Sequence, residues 1–252
     1  MTENNTLATF ALALADDALV LGHRLSQWSS RAPTLEEDIA LSNLALDLIG
    51  QARLFYTLAV EIEGQGRSED DLAYFREAHD FRNVLMVELP NGDFAHTMVR
   101  QLLYAALVHP YFEALSRSTH AGLAEIAAKA VKEMAYHVRH SAEWVIRLGD
   151  GTDESRRRTV AALDALWPYV PELFEMDVAE RGLAATGLVP DRDALKPEWD
   201  RTIDRVLGEA GLERPAAASM RSGGRLGRHT EHLAPMLADM QSLARANPGA
   251  TW

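Results

Sequence analysis

The sequence predicts an all-α protein built on four long helices. Apolar residues recur at spacings of three and four nearly everywhere, residues typical of helix ends separate the periodic segments, and no stretch reads as a convincing β-hairpin. The four longest periodic segments span about 23 to 30 residues, well above the usual mean helix of about 11 to 12 residues. Helices of this length suit the core of a helix bundle.

The first two long helices are predicted to form a pair. The first covers about residues 6–29. Thr34 and Glu37 have the spacing of a capping box, in which each side chain satisfies a backbone amide of the other residue. The second helix is therefore predicted to begin there, and it continues to about Glu63, before a segment that contains two glycines.

The next two long helices follow a long connection. Residues 67–92 lack extended periodicity, apart from one possible short helix. Asp93 is placed to cap a third long helix over about 94–117, which contains Pro110, and a fourth follows at about 121–148. The predicted order is a pair of helices, a long crossover and a second pair of helices. This is the connectivity of ferritin-like four-helix bundles.

Shorter helices are predicted after the bundle. One covers about 153–166 and restarts after two prolines to about Glu180. Another is predicted to begin with Pro197 as its first residue, because proline suits the first turn of a helix, and to continue up to Gly211. A last helix ends near Ala246.

The predicted organisation is one ferritin-like domain over residues 1–252. Its bundle core covers about 6–149, and peripheral helices occupy about 152–252.

Composition excludes several functional classes. There are 25 Lys and Arg against 37 Asp and Glu, for a formal charge of −12, so neither nucleic acid nor an anionic membrane is an expected partner. There is no cysteine, which excludes disulfides, zinc–thiolate sites, iron–sulfur clusters and cysteine nucleophiles. No uninterrupted apolar run reaches the roughly 18 residues of a membrane span, and the N-terminus lacks a signal-peptide pattern. A cytoplasmic location is therefore predicted.

The long helices carry an incomplete version of a di-iron motif. A di-iron carboxylate bundle uses one Glu from each of two helices and Glu-x-x-His from each of the other two, because residues three apart share a helix face. The second helix offers Asp47, with Gly50 in the histidine position. The fourth offers Glu133, with Tyr136 in that position and His137 one residue later.

The remaining two long helices supply fewer candidates. Asp16 continues an apolar row of the first helix and is expected to face inward, whereas the third helix has no acid between Asp93 and Glu113. At most three of about six ligands fall in register. We therefore predict no metal, cofactor-binding or catalytic residue in this chain, and vestigial di-iron positions at Asp16, Asp47, Gly50, Glu133, Tyr136 and His137.

Each acid also has an ordinary structural interpretation. Asp47 could bond Asn43 or Gln51 one turn away, and Glu133 could pair with Lys129 or His137. Asp16 could be a buried acid that pairs with a cation from a neighbouring helix, because an unpaired buried carboxylate is costly. The candidate cations for such inward acids are Arg53, Arg100, Lys132 and Arg139.

Two features near the C-terminus are weaker candidates. His229 and His232 have a metal-ligand spacing if they lie on a helix, although two ligands do not make a site. The glycine-rich loop Gly223–Gly227, with arginines on both sides, could cradle a phosphate through backbone amides. A surface role for the histidines and a flexible connector for the loop are the favoured interpretations.

Four segments in order resemble one known family. They are Asn43–Arg53, Val87–Ala95, Lys132–His137 and Gly227–Leu237. The chain resembles, over nearly its whole length, the non-catalytic ferritin-like C subunits of bacterial ring-1,2-phenylacetyl-CoA epoxidases.

The resemblance implies a role in aerobic phenylacetate degradation. Such a complex is a multicomponent di-iron monooxygenase that epoxidises the aromatic ring of phenylacetyl-CoA with O₂ and reducing equivalents from NADPH. A homologous catalytic subunit holds the di-iron centre and the substrate, and a reductase supplies electrons. The non-catalytic subunit shares the fold but is structural, so the implied partners are the catalytic subunit and the reductase, with self-association also possible.

Apolar residues on two sides of the second helix predict a large interface with such a partner. Leu41, Leu44, Leu48 and Phe55 form one side, and Leu54 and Leu58 point towards another.

Two other functions stay open from the residues alone. One is an oxidase or oxygenase with its own atypical metal site, built from Asp16, Asp47, Glu133 and His137. The other is a helical scaffold with no connection to oxygenases.

Overall fold

The structure is a computed structural model that describes residues 3–216 and 219–250. Over these residues the protein is all-α, without strands, which confirms the predicted class, and its order of long helices is that of the predicted ferritin-like fold. The α-helices are α1 (Glu3–Ser26), α2 (Leu35–Glu63), α3 (Glu69–Tyr74), α4 (Leu85–Glu88), α5 (Phe94–Leu115), α6 (Ala121–Gly149), α7 (Asp153–Leu166), α8 (Val178–Ala185), α9 (Arg192–Glu209) and α10 (Leu233–Ala246).

The described chain divides into two compact units. The first unit comprises residues 3–31, 36–90 and 223–250. The second unit comprises residues 32–35, 91–216 and 219–222. The first therefore holds α1, α3, α4, α10 and nearly all of α2, and the second holds α5 to α9. The single domain predicted over 1–252 stays a prediction.

In the first unit, α1 and α2 pack at close range. A Cβ atom added to Gly22 of α1 would lie 3.2 Å from the backbone oxygen of Ala45 and 3.2 Å from Cβ of Leu48, both on α2. The absent side chain of Gly22 therefore lets the two helices approach. On α2 the residues predicted for the core side are fully buried: Leu41, Leu44, Leu48 and Phe55.

The other predicted apolar side of α2 is corrected. Leu58 is buried and Leu54 is half-buried, so these two residues do not form an exposed surface. The apolar residues that α2 does expose within the first unit are Ile39, Leu46 and Ile49.

Helix α1 is long enough and apolar enough to cross a membrane, judged by length and composition alone. An 18-residue window within it has a mean hydropathy of 1.3. However, 72% of that window is buried inside the protein, and Asp16 and Asp17 lie in the same helix. These are properties of a core helix, which passes the same test.

The crossover segment in the first unit is short helices joined by extended backbone. Ser68 and Asp71 form a capping box that starts α3, and a 3₁₀ turn at Ala78–Asp80 precedes α4. The predicted long connection is thus confirmed.

The glycine-rich loop is packed against this crossover rather than being a flexible connector, which corrects that prediction. A Cβ atom on Gly224 would lie 2.0 Å from the backbone oxygen of Asn83. A Cβ atom on Gly227, whose φ is +74°, would lie 2.3 Å from the backbone oxygen of His79. Both contacts are too short for any side chain, so glycine is required at these two positions.

In the second unit, α5 and α6 match their predicted bounds closely. The side chain of Asp93 accepts a hydrogen bond from the backbone N–H of His96 at 2.9 Å and caps α5, as predicted. Trp199 of α9 is buried, and its Nε1–H donates to the backbone oxygen of Leu103 on α5 at 2.9 Å.

Two predicted helix ends in the second unit are wrong. Helix α9 begins at Arg192, because the Asp191 side chain caps it by accepting from the N–H of Asp193 at 3.0 Å, so Pro197 lies inside the helix. Glu180 does not end a helix. It lies in the first turn of α8, where its N–H donates to the capping side chain of Asp177 at 2.7 Å.

Because Gly224 lies so close to another backbone segment, Gly→Ala at this position should change the free energy of unfolding very differently from Gly→Ala at Gly50. Gly224→Ala should lower the free energy of unfolding by roughly 1–3 kcal/mol, because the new methyl group overlaps a backbone oxygen. Gly50→Ala on α2, where nothing lies within 4 Å of the added carbon, should instead raise it by about 0.5–1 kcal/mol. Urea unfolding of both variants measures the contrast, and equal stabilities would show that the loop is not packed as described.

Candidate functional site

The first unit contains three buried carboxylates. Asp16 and Asp17 of α1 and Glu88 of α4 are 0%, 3% and 0% exposed. The inward position predicted for Asp16 is confirmed, whereas Glu88 was not among the predicted residues. Because a carboxylate without partners is strongly disfavoured in a protein interior, the surroundings of each acid decide its role.

Asp16 is held by a tyrosine, an arginine and a backbone amide. It accepts from the hydroxyl of Tyr56 at 2.6 Å, from Nη1 of Arg76 at 3.1 Å and from the N–H of Arg82 at 2.7 Å. A second guanidinium nitrogen of Arg76 also contacts the carboxylate, so the pair is bidentate. The guanidinium lies 4.2 Å from the centre of the Phe81 ring, which adds a cation–π contact.

The cation beside Asp16 is not one of the four predicted. Arg76 lies in the irregular crossover, where helical spacing carries no information about its partner. Arg53, one of the predicted cations, is instead mostly exposed and lies 3.4 Å from Glu69.

Asp17 is paired with the glycine-rich loop. It accepts from the backbone N–H of Val84 at 2.8 Å and from Nη2 of Arg225 at 2.6 Å. The Arg225 guanidinium also donates to the backbone oxygens of Ala13 at 3.1 Å and Arg82 at 2.7 Å. The backbone N–H groups of Leu226, Gly227 and Arg228 donate to carbonyl oxygens of the same loop. Because these amides and the Arg225 guanidinium are already engaged, the phosphate interpretation of the loop is not supported.

Glu88 is held by the segment before α10. Its carboxylate lies 2.7 Å from Nδ1 of His229 and accepts from the backbone N–H of Thr230 at 2.6 Å and from Nδ2 of Asn83 at 2.8 Å. The backbone oxygen of Glu88 accepts from Nε of Arg24 at 3.0 Å. Asn83, His229 and Thr230, which bond the carboxylate, all belong to the first unit.

The surroundings of His229 favour its protonated, positively charged form. Its Nε2 lies 3.0 Å from the backbone oxygen of Phe81, which can only accept, and its Nδ1 faces the Glu88 carboxylate. Burial lowers the pKa of His229, but the hydrogen bond and charge of Glu88 outweigh burial and raise the pKa above its ordinary value of 6.5. The protonated ring, with two donors, matches both acceptors.

Arg76 and Tyr56 are also held in one protonation state. Burial lowers the pKa of Arg76, but the charges and hydrogen bonds of Asp16 and Tyr56 outweigh this and leave it raised. Burial, together with the nearby charge of Asp16, holds the pKa of Tyr56 well above its ordinary range. Tyr56 therefore stays a neutral hydroxyl donor and Arg76 a cation.

The proposed histidine pair does not have metal-binding geometry. Residues 229–232 lie before α10 and are not helical, which corrects the condition under which the pair would share a face. Both ring nitrogens of His229 are engaged, and Nε2 of His232 lies 3.7 Å from Glu231.

The six residues predicted to be remnants of a di-iron site are divided between the two units. In the first unit Asp16 belongs to the buried network, Asp47 is half-buried, and Gly50 is exposed. A residue at the Gly50 position would point into open space, which is unsuited to an inward ligand.

In the second unit, the three predicted positions on α6, Glu133, Tyr136 and His137, differ in how far their side chains are exposed to solvent. Tyr136 is exposed and stacks against His140, with ring centres 5.8 Å apart. His137 is buried, and its Nδ1 lies 2.9 Å from Nε2 of Gln101. Glu133 is half-buried. The inward residue of this turn is therefore His137 and not the residue three positions after Glu133.

The donor set does not fit a di-iron centre. Such a centre needs carboxylate and imidazole groups whose lone pairs are free to bind metal. In the first unit the three buried carboxylates are instead neutralised by Arg76, Arg225 and His229. Across residues 3–216 and 219–250, no group of three or more His, Asp or Glu side chains is placed to hold a metal ion.

These observations define an all-α protein in whose first unit the three buried acids are paired with the chain's own cations. Residues 1–252 match the family model described as phenylacetic acid catabolic protein, and the chain belongs to that family. It is 44% identical over 248 residues to the C subunit of 1,2-phenylacetyl-CoA epoxidase from Escherichia coli (strain K12). The match covers 98% of this chain and 100% of that protein, and it confirms the resemblance found in the four sequence segments.

Removing one member of the Asp16–Arg76 pair should be far more costly than removing an exposed ion pair. Arg76→Met leaves Asp16 buried without its cation and should lower the free energy of unfolding by about 3–5 kcal/mol. Arg53→Met, the matched control at an exposed pair, should cost no more than about 1 kcal/mol. Adding Asp16→Leu to Arg76→Met should recover part of the loss. Denaturant unfolding measures all three, and similar values for the two single variants would contradict the buried pair.

The raised pKa of His229 predicts a pH-dependent contribution to stability. Folding favours the protonated ring, so this contribution is fully present below pH 6.5 and is lost as pH rises through the raised folded-state pKa. We expect wild-type stability to fall over that range more steeply than the stability of His229→Gln. His79→Gln, which replaces an exposed histidine, should keep the wild-type profile. Urea unfolding across pH measures the slopes, and parallel profiles for wild type and His229→Gln would show that the pair does not titrate as described.

Proposed function

We propose that this chain is a structural, non-catalytic subunit of a multicomponent di-iron monooxygenase that epoxidises phenylacetyl-CoA in aerobic phenylacetate degradation. In this role it supports a homologous catalytic subunit that holds the di-iron centre, and a reductase completes the complex. The family relationship supports involvement in phenylacetate catabolism. The relative's name, which is that of one subunit among several in an epoxidase, supports an assembly with other subunits.

The observation that carries the non-catalytic role is the internal neutralisation of the buried acids. Asp16, Asp17 and Glu88 each bond a cationic side chain of the same unit. A metal ion that took these carboxylates would leave Arg76, Arg225 and His229 without their acidic partners, and stranding the buried Arg76 guanidinium alone would cost several kcal/mol. The first unit therefore favours its own ion pairs over a metal, and the chemistry belongs in a partner.

The structural role also specifies what this chain needs from its surroundings. It requires no cofactor of its own, and its place is the cytoplasm beside the catalytic subunit. The interface with that subunit should be of the large, obligate type, at least about 2,000 Å² in total.

Metal analysis of the chain alone and in the complex tests this role. The purified chain should contain far less than one iron per molecule, whereas co-expression with the catalytic subunit should yield a stable complex that contains iron. Epoxidation of phenylacetyl-CoA should require the catalytic subunit. Close to two irons per molecule in the isolated chain, lost in Glu133→Ala, would instead establish an atypical metal site in this chain.

A further inference from the structure

Helix α2 exposes an apolar row in addition to its buried one. Ile39, Leu46 and Ile49 are 55%, 66% and 37% exposed, although all three are large hydrophobic residues. Together with Ser42 and Arg53 they occupy positions spaced by three, four, three and four residues. This alternation is that of a coiled-coil seam, in which one row of a helix meets a second helix.

A cavity opens beside the C-terminal end of this row. It has a volume of about 290 Å³, and it is lined by Leu19 of α1, Ile49, Ala52, Arg53 and Tyr56 of α2, and Glu69, Asp70, Ala73 and Tyr74 of α3. Ile49 and Arg53 belong to both the row and the cavity wall. The lining combines apolar and aromatic side chains with three charged ones. A cavity of this kind can accommodate one large side chain of a partner at an interface.

The charge of α2 specifies what can pair with it. The helix carries six acidic residues, Glu36, Glu37, Asp38, Asp47, Glu61 and Glu63, and its basic residues comprise Arg53 alone. Helix α3, which contributes to the cavity, begins with three more acids, Glu69, Asp70 and Asp71. Glu36 and Asp38 flank the start of the row, and Glu69 and Asp70 line the cavity near its other end. A second copy of this acidic chain would bring like charges together at these places, whereas a helix flanked by Lys and Arg would be attracted.

Scattered exposed hydrophobic residues are normal on protein surfaces and need no partner. Three of them in one row, at coiled-coil spacing and beside a partly apolar cavity, instead form a surface that a second helix can contact. We name the surface formed by Ile39, Leu46, Ile49 and the adjoining cavity the α2 seam.

We propose that the α2 seam docks an amphipathic helix of the partner subunit, one with apolar residues at three- and four-residue spacing and Lys or Arg on its flanks. An apolar or aromatic side chain of that helix enters the cavity between α2 and α3. This inference rests on the proposed function, because it assigns the surface through which that complex forms.

Substitution of the row tests the docking surface. Leu46→Glu and Ile49→Glu place charges in the centre of the seam and should weaken binding to the co-expressed catalytic subunit at least tenfold. Leu243→Glu is the matched control, because Leu243 is a 59% exposed leucine on α10 of the same unit and lies outside the seam. Circular dichroism and thermal melting of each purified variant establish that it is folded before its affinity is measured.

The outcomes separate this inference from the proposed function. If the wild-type chain does not bind the catalytic subunit, the proposed function fails. If the wild-type chain binds and Leu46→Glu binds as tightly as Leu243→Glu, the α2 seam is overturned and the proposed function stands. Association of the wild-type chain with itself that Leu46→Glu abolishes would also overturn it, because the occupant would then be a second copy. Binding through basic flanks should weaken as salt rises, and a salt-independent affinity would contradict that part of the proposal.

Discussion

The constraint on which the first unit depends is that three carboxylates lie inside it and each must be neutralised. Asp16, Asp17 and Glu88 find their cations at Arg76, Arg225 and His229, and these pairs are separated by 60, 208 and 141 positions in sequence. Each ion pair therefore ties a distant segment to α1 or α4. The crossover must fold onto α1 before Asp16 is satisfied, and Asp17 and Glu88 also require the glycine-rich loop and the segment before α10. The packing of the unit and its charge balance are therefore established together.

The need to neutralise these acids also explains the two glycines of the loop and the polar character of the core. Gly224 and Gly227 are glycines because their loop must lie against the backbone of residues 79–83 for Arg225 to reach Asp17. A polar network of this kind is not the most stabilising way to fill a core, since apolar residues of the same volume often serve as well or better. We infer that the network favours one register of these segments, because a misplaced segment would leave a buried charge without its partner.

Much of the fold could be predicted from sequence, because its signals are local. The bounds of α2, α5 and α6 follow from periodicity and from caps such as Asp93, which act within one or two turns. Pro197 misled the prediction of α9, since the Asp191 cap several residues earlier determines where that helix begins. The inward position of Asp16 was also predictable. Its partner was not, because Arg76 lies in an irregular segment whose contacts no spacing rule describes.

The buried network and the α2 seam meet at one residue. Tyr56 lines the cavity, and its hydroxyl donates to Asp16, which in turn is held by Arg76. The ring of Tyr56 is thereby fixed in place before any partner arrives, and a fixed cavity wall loses little conformational freedom on binding. In the first unit the buried acids are thus paired with the chain's own cations, and through Tyr56 the Asp16–Arg76 pair holds one wall of the proposed docking surface in place.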